Sequence, residues 1–323
     1  TLGNAIVYCG LGDGATQEGE FYEAVAEAAR EKLPVLFAVG DNSYALSTPT
    51  RGRTFYSLPD GEPESFFGLP IQRLDGADLA ACHDGLAETV AAIRRDQTPA
   101  VVVIDLPRLS SHTSSDDHTQ YRLLEEIAEL EKRDPLPRLR QWLLDHGVSE
   151  AQLTELTDDV HAAIDRAVAW AQAEPAPDTG AARDVSRPLP DELAPDADEY
   201  RGDDEAQDLT MLEAMRNVLR HRLETDADVT IAGEDIADPK GDVFGLTRGL
   251  STDHPERVRN SALSEATIVG KAIGQAAAGG HPVACIQFAD FLVAAYNQIY
   301  SELATLYWRS RGVCQAPVVI LAP

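Results

Sequence analysis

The sequence predicts an α/β protein made of two parallel-sheet modules joined by an acidic tether. Three observations carry that prediction. Continuous apolar runs alternate with helix-like stretches in both halves of the chain, as parallel strands buried on both faces require. Residues 175–208 are rich in Pro, Asp and Glu and poor in large apolar side chains, which reads as an extended, partly disordered linker. A length of 323 residues accommodates two domains of roughly 150 residues each.

The elements follow in order. Asn4 to Leu11 reads as a buried strand. Glu20 to Lys32 reads as a helix with Phe21, Val25, Ala28 and Ala29 on one face, and Pro34 stops it. Pro34 to Val39 is a second strand. Asp78 caps a helix whose apolar face is Leu79, Cys82, Leu86, Val90 and Ile93. Ala100 to Leu106 is a third strand. Helices follow near 121–132, 135–146 and 150–174. Beyond the tether come a helix from Leu209 to Glu224, a strand from Val229 to Ala232 and a helix from Ser264 to Ala278. A strand from Val283 to Phe288, a long helix to about Arg309 and a strand from Pro317 to Leu321 complete the pattern. The expected domains are thus 1–174 and 209–323, with 175–208 as the linker.

Composition excludes some functions. Acidic residues number 54 against 27 basic ones, a net charge of −27. Such a surface repels nucleic acid and anionic membrane, so neither is an expected partner. Two sources of the acidity stand open: a salt-rich cytoplasm, where self-repulsion is screened, or a GC-rich genome. No apolar stretch is long enough to span a bilayer. The opening "TLGNAIVYCG" has no basic lead and cleavable apolar segment, so the expected location is the cytoplasm. Cys9, Cys82, Cys285 and Cys314 lie far apart, as reduced thiols do.

The chemistry starts at "VYCGLGDGATQEGEFYEA", Val7 to Ala24. Gly10, Gly12 and Ala15 fit the dinucleotide fingerprint G-x-G-x-x-A, which would make the protein a nicotinamide-dependent dehydrogenase. That fold wants an acid about 20 residues on, and the nearest candidate, Asp41, lies 31 residues after Gly10. Asp13 also stands inside the turn. Facing a phosphate at about 4 Å it would be repelled by roughly 4 kcal/mol at an effective dielectric of about 20. A divalent cation removes the conflict. Mg²⁺ takes oxygen ligands and joins protein carboxylates to substrate phosphates. A second protein oxygen is expected at the end of the next strand, and "VGDNSYALSTP" places Asn42 there, 29 residues after Asp13. The Tyr44 carbonyl is a further candidate. Both ligands then lie at the carboxyl ends of adjacent strands, where open α/β sheets bind ligands, and the next helix points its first N–H groups at the same place. The plain alternative is a Gly-Asp-Gly turn followed by an Asx turn, without function.

"GDG" followed by "DNSYALSTP" at this spacing resembles the diphosphate-binding motif of thiamine diphosphate enzymes. The whole module is similar to the alpha part of the decarboxylating component of two-component 2-oxo acid dehydrogenases. The likeness extends through "FGLPIQRLDGADL" to "PRLSSHTSSDDHTQYR". It implies a diphosphate turn at Gly12, Asp13 and Gly14, with Asp13, Asn42 and the Tyr44 carbonyl as metal ligands. It also implies Arg108 near the cofactor phosphates and His112 as the active-site histidine. Without the resemblance, "HTSSDDH" is open between a solvated loop and a metal cluster of His112, Asp116, Asp117 and His118.

"TIAGEDIADPKGDVFGLTRGL" and "RNSALSEATIVGKAIGQAAAGGHPVACIQFADF" resemble the beta, pyrimidine-binding part of the same enzymes. Glu234 and Glu265 stand 31 residues apart, as that family's two acids do. Glu265 matches the glutamate that holds the aminopyrimidine, and Phe291 the aromatic ring against it. A carboxyl group there stabilises the imino tautomer that deprotonates the thiazolium, and an apolar setting raises its pKa toward the working range.

The resemblance implies two thiamine-diphosphate-binding-fold modules with parallel sheets, fused alpha-like then beta-like. It implies oxidative decarboxylation of a 2-oxo acid, with acyl transfer to the lipoyl group of a partner acyltransferase and Glu265 and His112 as catalytic residues. "SSHTSSDD" is nearer the branched-chain enzymes than the pyruvate ones. Acetoin-cleaving relatives share the architecture, and a catalytically silent acidic scaffold is a different class of reading. A homodimer of the fused chain is the expected assembly. Relatives carry a segment before the glycine turn and a domain after "APVVILAP", so the amino-terminal part of the first domain and the carboxyl-terminal part of the second are expected to be missing here.

Overall fold

The computed structural model describes residues 4–176 and 208–323. Its first strand, β1 (Val7–Gly12), lies on the rim of a five-stranded sheet. Helix α1 (Gly19–Glu31) leads to β2 (Val35–Asp41), and a small antiparallel hairpin of β3 (Tyr44–Ala45) and β4 (Thr48–Pro49) follows. β5 (Ser65–Phe66), β6 (Leu69–Asp75), α2 (Leu79–Asp96) and β7 (Ala100–Asp105) complete the sheet. Its order is β1-β2-β7-β6-β5, with the first four parallel and β5 antiparallel to β6. Parallel strands put their carboxyl ends on one edge, and that edge carries the site.

Alternation explains why β2 is apolar throughout. Phe37 and Val39 face α1, where Phe21, Val25 and Ala28 join Phe55, Tyr56, Val101 and Val103 in one core. Leu36 and Ala38 face the other way, onto Val102 and the Ile93 side of α2. Burying each of the larger of these side chains stabilises the fold by roughly 1.5–3 kcal/mol. Helix α1 ends where Lys32 turns left-handed at φ 51°. Helix α2 begins where Asp78 accepts from the Ala81 N–H at 3.1 Å, the expected cap. Helix α3 (Leu124–Glu131) closes this part of the chain.

The second sheet starts with α6 (Met211–Thr225), after two helices described below, and runs through β8 (Val229–Gly233), α7 (Leu250–Asp253) and β9 (Val258–Asn260). α8 (Glu265–Ala277), β10 (His281–Cys285), α9 (Ala304–Arg309) and β11 (Val319–Leu321) follow. All four strands are parallel, in the order β11-β10-β8-β9.

Five differences from the sequence expectation have physical causes. β1 is not buried: Val7 is 51% and Tyr8 68% exposed, because the strand has β2 as its single neighbour in the sheet. β6 escaped notice because Gln72 and Arg73 interrupt its apolar run, and β9 because it has three residues. The strand expected to reach Phe288 ends at Cys285. The expected long helix is a 3₁₀ segment (Ala289–Ala295), a π-helical turn (Gln298–Leu303) and α9; apolar periodicity does not separate these hydrogen-bond patterns over one or two turns.

The chain divides into two compact units, Thr1–Arg133 with Leu209–Pro323, and Asp134–Asp208. Both sheets lie in the first. Within it α1 packs against α8 through a stripe of acids. Glu23 accepts from the Ser264 hydroxyl at 2.6 Å and the Thr267 hydroxyl at 3.0 Å. Glu27, only 5% exposed, pairs with Lys271 and with Arg30. Glu20 accepts from Asn297 at 3.2 Å, and Glu31 pairs with Arg259 at 3.1 Å. Contacts step from 23 to 27 on α1 while they step from 267 to 271 on α8, so the helices run parallel and start at the same end. α1 thus has two working faces, an apolar one for its own sheet and a carboxylate one for the other.

The second unit holds α4 (Pro135–Asp145) and α5 (Glu150–Ala173) among its described residues. Asp134 caps α4, with Pro135 in its first turn, and a capping box of Ser149 and Gln152 opens α5. Arg140 pairs with Glu150. The expected linker lies, but for its ends, outside the described residues.

Candidate active site

β1 delivers Asp13 to the carboxyl edge of the first sheet, and the site is built around it. Asp13 is 2% exposed. Its N–H donates to Gly40 O at 3.2 Å, extending the β1–β2 ladder by one residue. Its carboxylate is held twice: Oδ1 accepts from the Gly14 N–H at 2.9 Å and Oδ2 from the Thr50 hydroxyl at 2.8 Å. Gly14 is required by close approach, since a Cβ there would stand 2.8 Å from Ala45 Cβ. At Gly12 a Cβ would meet nothing within 4 Å, so the turn faces open space of the kind a phosphate group occupies.

Asn42 follows β2, and its Oδ1 accepts from the Tyr44 N–H at 3.2 Å, an Asx turn. Ser43 and Leu46 take φ values of 66° and 56°, which lets the hairpin double back. The Thr50 N–H donates to Ser43 O at 3.0 Å, and the loop returns onto Asp13. Carboxylate, amide and backbone carbonyl oxygens are the donors Mg²⁺ prefers, with waters and phosphates completing the shell. Among the described residues no group of three or more His, Cys, Asp or Glu could hold a metal; the Asp13–Asn42–Tyr44 set is of another kind, with one carboxylate.

Three aspartates end three neighbouring strands in one row: Asp41 pairs in register with Asp105, and Asp105 with Asp75. Arg133 binds Asp75 at 3.0 Å and Asp105 at 2.9 Å. Asp41 lacks that cation. Burial pushes its carboxyl up, and the charges of Asp13 and Asp105 add to the rise. A cavity of about 500 Å³ opens beside Asp41, Thr50, Asp75 and Asp105.

Arg108 leaves the end of β7 and reaches the hairpin, donating to Leu46 O at 2.8 Å and to the Tyr121 hydroxyl at 2.7 Å. Its Nε is buried without a hydrogen-bond partner. The loop after it is ordered by its own polar groups. Asp116 accepts from the His112 N–H and from the Tyr121 hydroxyl, each at 2.8 Å, and these bonds hold its carboxyl below the usual range. His112 itself is exposed. Arg122, 4% exposed, lies 4.4 Å from the Tyr44 ring centre and donates to Arg108 O at 2.9 Å. It also pairs with Glu126 at 3.3 Å, which accepts from the Tyr44 hydroxyl at the same distance. Arg122 and Thr50 are residues that sequence reasoning missed. The available signal for Arg122 was an arginine at the end of a polar loop; for Thr50 there was none.

The second sheet builds the other half in the same way. Glu234 follows Gly233 at the end of β8 and is 3% exposed, with Oε1 unpartnered. Burial raises its pKa, and the neighbouring Glu265 raises it further. Glu265 is the first residue of α8, directly after the Ser264 cap. Phe291 is 44% exposed, its ring 6.0 Å from Phe288, which lies 6.3 Å from Phe244. The part of Phe244 and Phe288 beside Phe291 was not foreseen, Phe288 having been read as the end of a strand.

The structure therefore gathers Gly12, Asp13, Gly14, Asn42, Tyr44 and Arg108 on one edge, and Glu234, Glu265 and Phe291 at the strand ends of the second sheet. The buried unpaired atoms of Arg108 and Glu234 leave an N–H donor and a carboxyl oxygen free for a polar ligand. No described helix is long and apolar enough to cross a membrane.

Two family models match the chain. Residues 3–179 match the family model "Dehydrogenase E1 component", and residues 207–322 match "Transketolase, pyrimidine binding domain". The chain is 38% identical over 146 residues to the 3-methyl-2-oxobutanoate dehydrogenase subunit alpha of Mycobacterium tuberculosis (strain CDC 1551 / Oshkosh), covering 45% of this chain and 39% of that one. It is 33% identical over 178 residues to the pyruvate dehydrogenase E1 component subunit alpha of Rickettsia felis, covering 55% and 54%. The corresponding subunit of Mycoplasma pneumoniae is 34% identical over 161 residues, covering 48% and 44%. The chain thus spans about half the length, or less, of these curated relatives. With more than half of its residues matched by the first model, the chain belongs to the dehydrogenase E1 component family.

Proposed function

We propose that this protein carries fused alpha-like and beta-like parts of a thiamine diphosphate-dependent 2-oxo acid dehydrogenase, decarboxylating component. Residues 1–174 form the diphosphate-binding domain, 175–208 the tether and 209–323 the pyrimidine-binding domain. The observation that carries the reading is the parallel pairing of α1 and α8. It sets the Asp13 turn and Glu265 at the same end of one unit, as a single extended cofactor needs.

Asp13, Asn42 and the Tyr44 carbonyl hold Mg²⁺, which neutralises a diphosphate that Asp13 alone would repel. Gly12 and Gly14 keep the turn free of side chains, and Arg108 offers its unpaired Nε to the same phosphates. Glu265 offers its carboxyl group to the pyrimidine ring nitrogen, with Glu234, whose own carboxyl is pushed up by burial and by Glu265, beside it. Phe291 offers a ring face to the pyrimidine. Bound there, thiamine diphosphate supplies the carbon that adds to the 2-oxo group and holds the electrons when carbon dioxide leaves. His112, exposed on a loop that Asp116 ties to Tyr121, moves protons or orients the lipoyl group of the partner acyltransferase. A branched-chain acid such as 2-oxoisovalerate is the favoured substrate, with pyruvate next; acetoin-type cleavage is the second reading. A homodimer in the cytoplasm is the expected state.

Calorimetry with thiamine diphosphate, with and without Mg²⁺, tests the reading. Metal-dependent heat is expected, weakened by Asp13→Asn. Glu265→Gln is expected to bind and not to decarboxylate. No heat in either condition refutes the enzyme, and nucleotide binding without magnesium would restore the nicotinamide reading. Assays of 2-oxoisovalerate, pyruvate and acetoin side by side assign the substrate.

A further inference from the structure

We propose that Thr50 is the positioning residue of the metal carboxylate. Its hydroxyl, by donating to Asp13 Oδ2, sets the direction in which Asp13 offers its remaining lone pairs to a divalent cation. The inference rests on Asp13 being a metal ligand, as read above.

A carboxylate has two oxygens and about four acceptor positions. Held at one oxygen, it still swings about its Cβ–Cγ bond. Held at both, it has one orientation and one free lone pair left on each oxygen. Asp13 is held at both, by the Gly14 N–H at 2.9 Å and the Thr50 hydroxyl at 2.8 Å. Thr16 does not share the task, because its hydroxyl donates to the Asp13 carbonyl at 2.6 Å. Thr50 is 4% and Asp13 2% exposed, so water does not compete for the bond.

The position of Thr50 is itself set by the loop that carries the other two ligands. Its N–H donates to Ser43 O at 3.0 Å, between Asn42 and Tyr44. The residues from Asn42 to Thr50 therefore close on themselves before they close on Asp13. One threonine registers the carboxylate of the first strand against the amide and carbonyl that follow the second. Partners of this kind, which orient a metal ligand without touching the metal, govern affinity for the ion.

The test compares Thr50→Val, which keeps the shape and removes the donor, with Thr50→Ser, which keeps the donor. Full-length protein is titrated with Mg²⁺ at fixed thiamine diphosphate by calorimetry, and with Mn²⁺ by electron paramagnetic resonance. Melting without metal verifies that each variant folds. Thr50→Val is expected to raise the metal concentration for half-saturation about 10-fold or more, and Thr50→Ser to stay within about 3-fold of wild type. Cofactor affinity of Thr50→Val at saturating Mg²⁺ is expected to return to within about 2-fold of wild type, because only the metal step is impaired. An unchanged or tightened metal requirement in Thr50→Val overturns the proposal, as does a loss that saturating Mg²⁺ leaves in place. Absence of metal-dependent binding in the wild type overturns the reading of Asp13 itself and is distinguishable from both.

Discussion

Glu23 of α1 accepts from the hydroxyl of Ser264, the cap of α8, at 2.6 Å, and so an acid of the first sheet's helix holds the residue next to Glu265. The same carboxylate oxygen takes the Thr267 hydroxyl at 3.0 Å. Because Ser264 Oγ also accepts from the Thr267 N–H at 3.3 Å, the acid of one sheet's helix secures the first turn of the other's.

Removing that acid should loosen the seam. Glu23→Ala is expected to cost about 1–3 kcal/mol, since it strips a charged acceptor from two hydroxyls. Ser264→Ala alone is expected to cost about 1 kcal/mol as a lost cap. The double variant should cost less than the sum by about 0.5 kcal/mol or more, because both act on one network. Urea unfolding of the four proteins measures this cycle; strict additivity would mean the two residues do not communicate.

Glu234 gives a pH signature. Its folded carboxyl titrates above the ordinary value of 4.5, through burial first and Glu265 second. The folded protein keeps that proton longer than the unfolded chain does. The stabilising contribution is full below the unfolded value and is lost as pH rises through the folded one. Glu234→Gln has no such proton to lose. Its stability relative to wild type should increase from about pH 5 to about pH 8, read as a difference of melting temperatures. A flat difference would place Glu234 in an ordinary solvated setting.

Asp238 behaves in the opposite sense. It accepts from the Gly249 N–H at 2.8 Å, the Thr252 N–H at 3.0 Å and the hydroxyls of Ser251 and Thr252 at 2.8 and 2.7 Å. These bonds lower its pKa from 3.8 to about 2. Stability from this group is present above the unfolded value and disappears as pH falls through the folded one. Asp238→Asn should cost about 1 kcal/mol at neutral pH, allowing for solvent screening, and nothing near about pH 2. Acid titration of unfolding in both proteins decides it.

The net charge of −27 makes salt a variable. Melting temperature is expected to rise between about 0.05 M and about 1 M NaCl, as the Debye length falls from over ten to about 3 Å. A melting temperature indifferent to salt would assign the acidity to genome composition.

Much of this architecture was legible in the chain because it follows periodicity. Phe21, Val25 and Ala28 announce α1, and the doubly apolar β2 announces a parallel sheet. The glycine turn and Asn42 could be paired because strand, turn and strand have nearly constant lengths. Thr50 was invisible for the converse reason: its bond to Asp13 spans 37 residues and depends on a hairpin with two left-handed residues, Ser43 and Leu46. The acid stripe of α1 was not legible, since nothing local distinguishes the buried Glu27, paired with Lys271, from an exposed glutamate. β6 and β9 show that polar interruption or brevity erases a strand from the pattern even when neighbours enforce it.

The co-directional packing of α1 and α8 has an electrostatic corollary. Each helix carries the equivalent of about half a positive charge at its amino-terminal pole. Side by side with the same polarity, the two poles add at the end where Gly19 and Glu265 open the helices. The carboxylates seated there, Glu18, Glu20 and Glu265, are thereby offset by peptide groups whose partial charge does not change with pH.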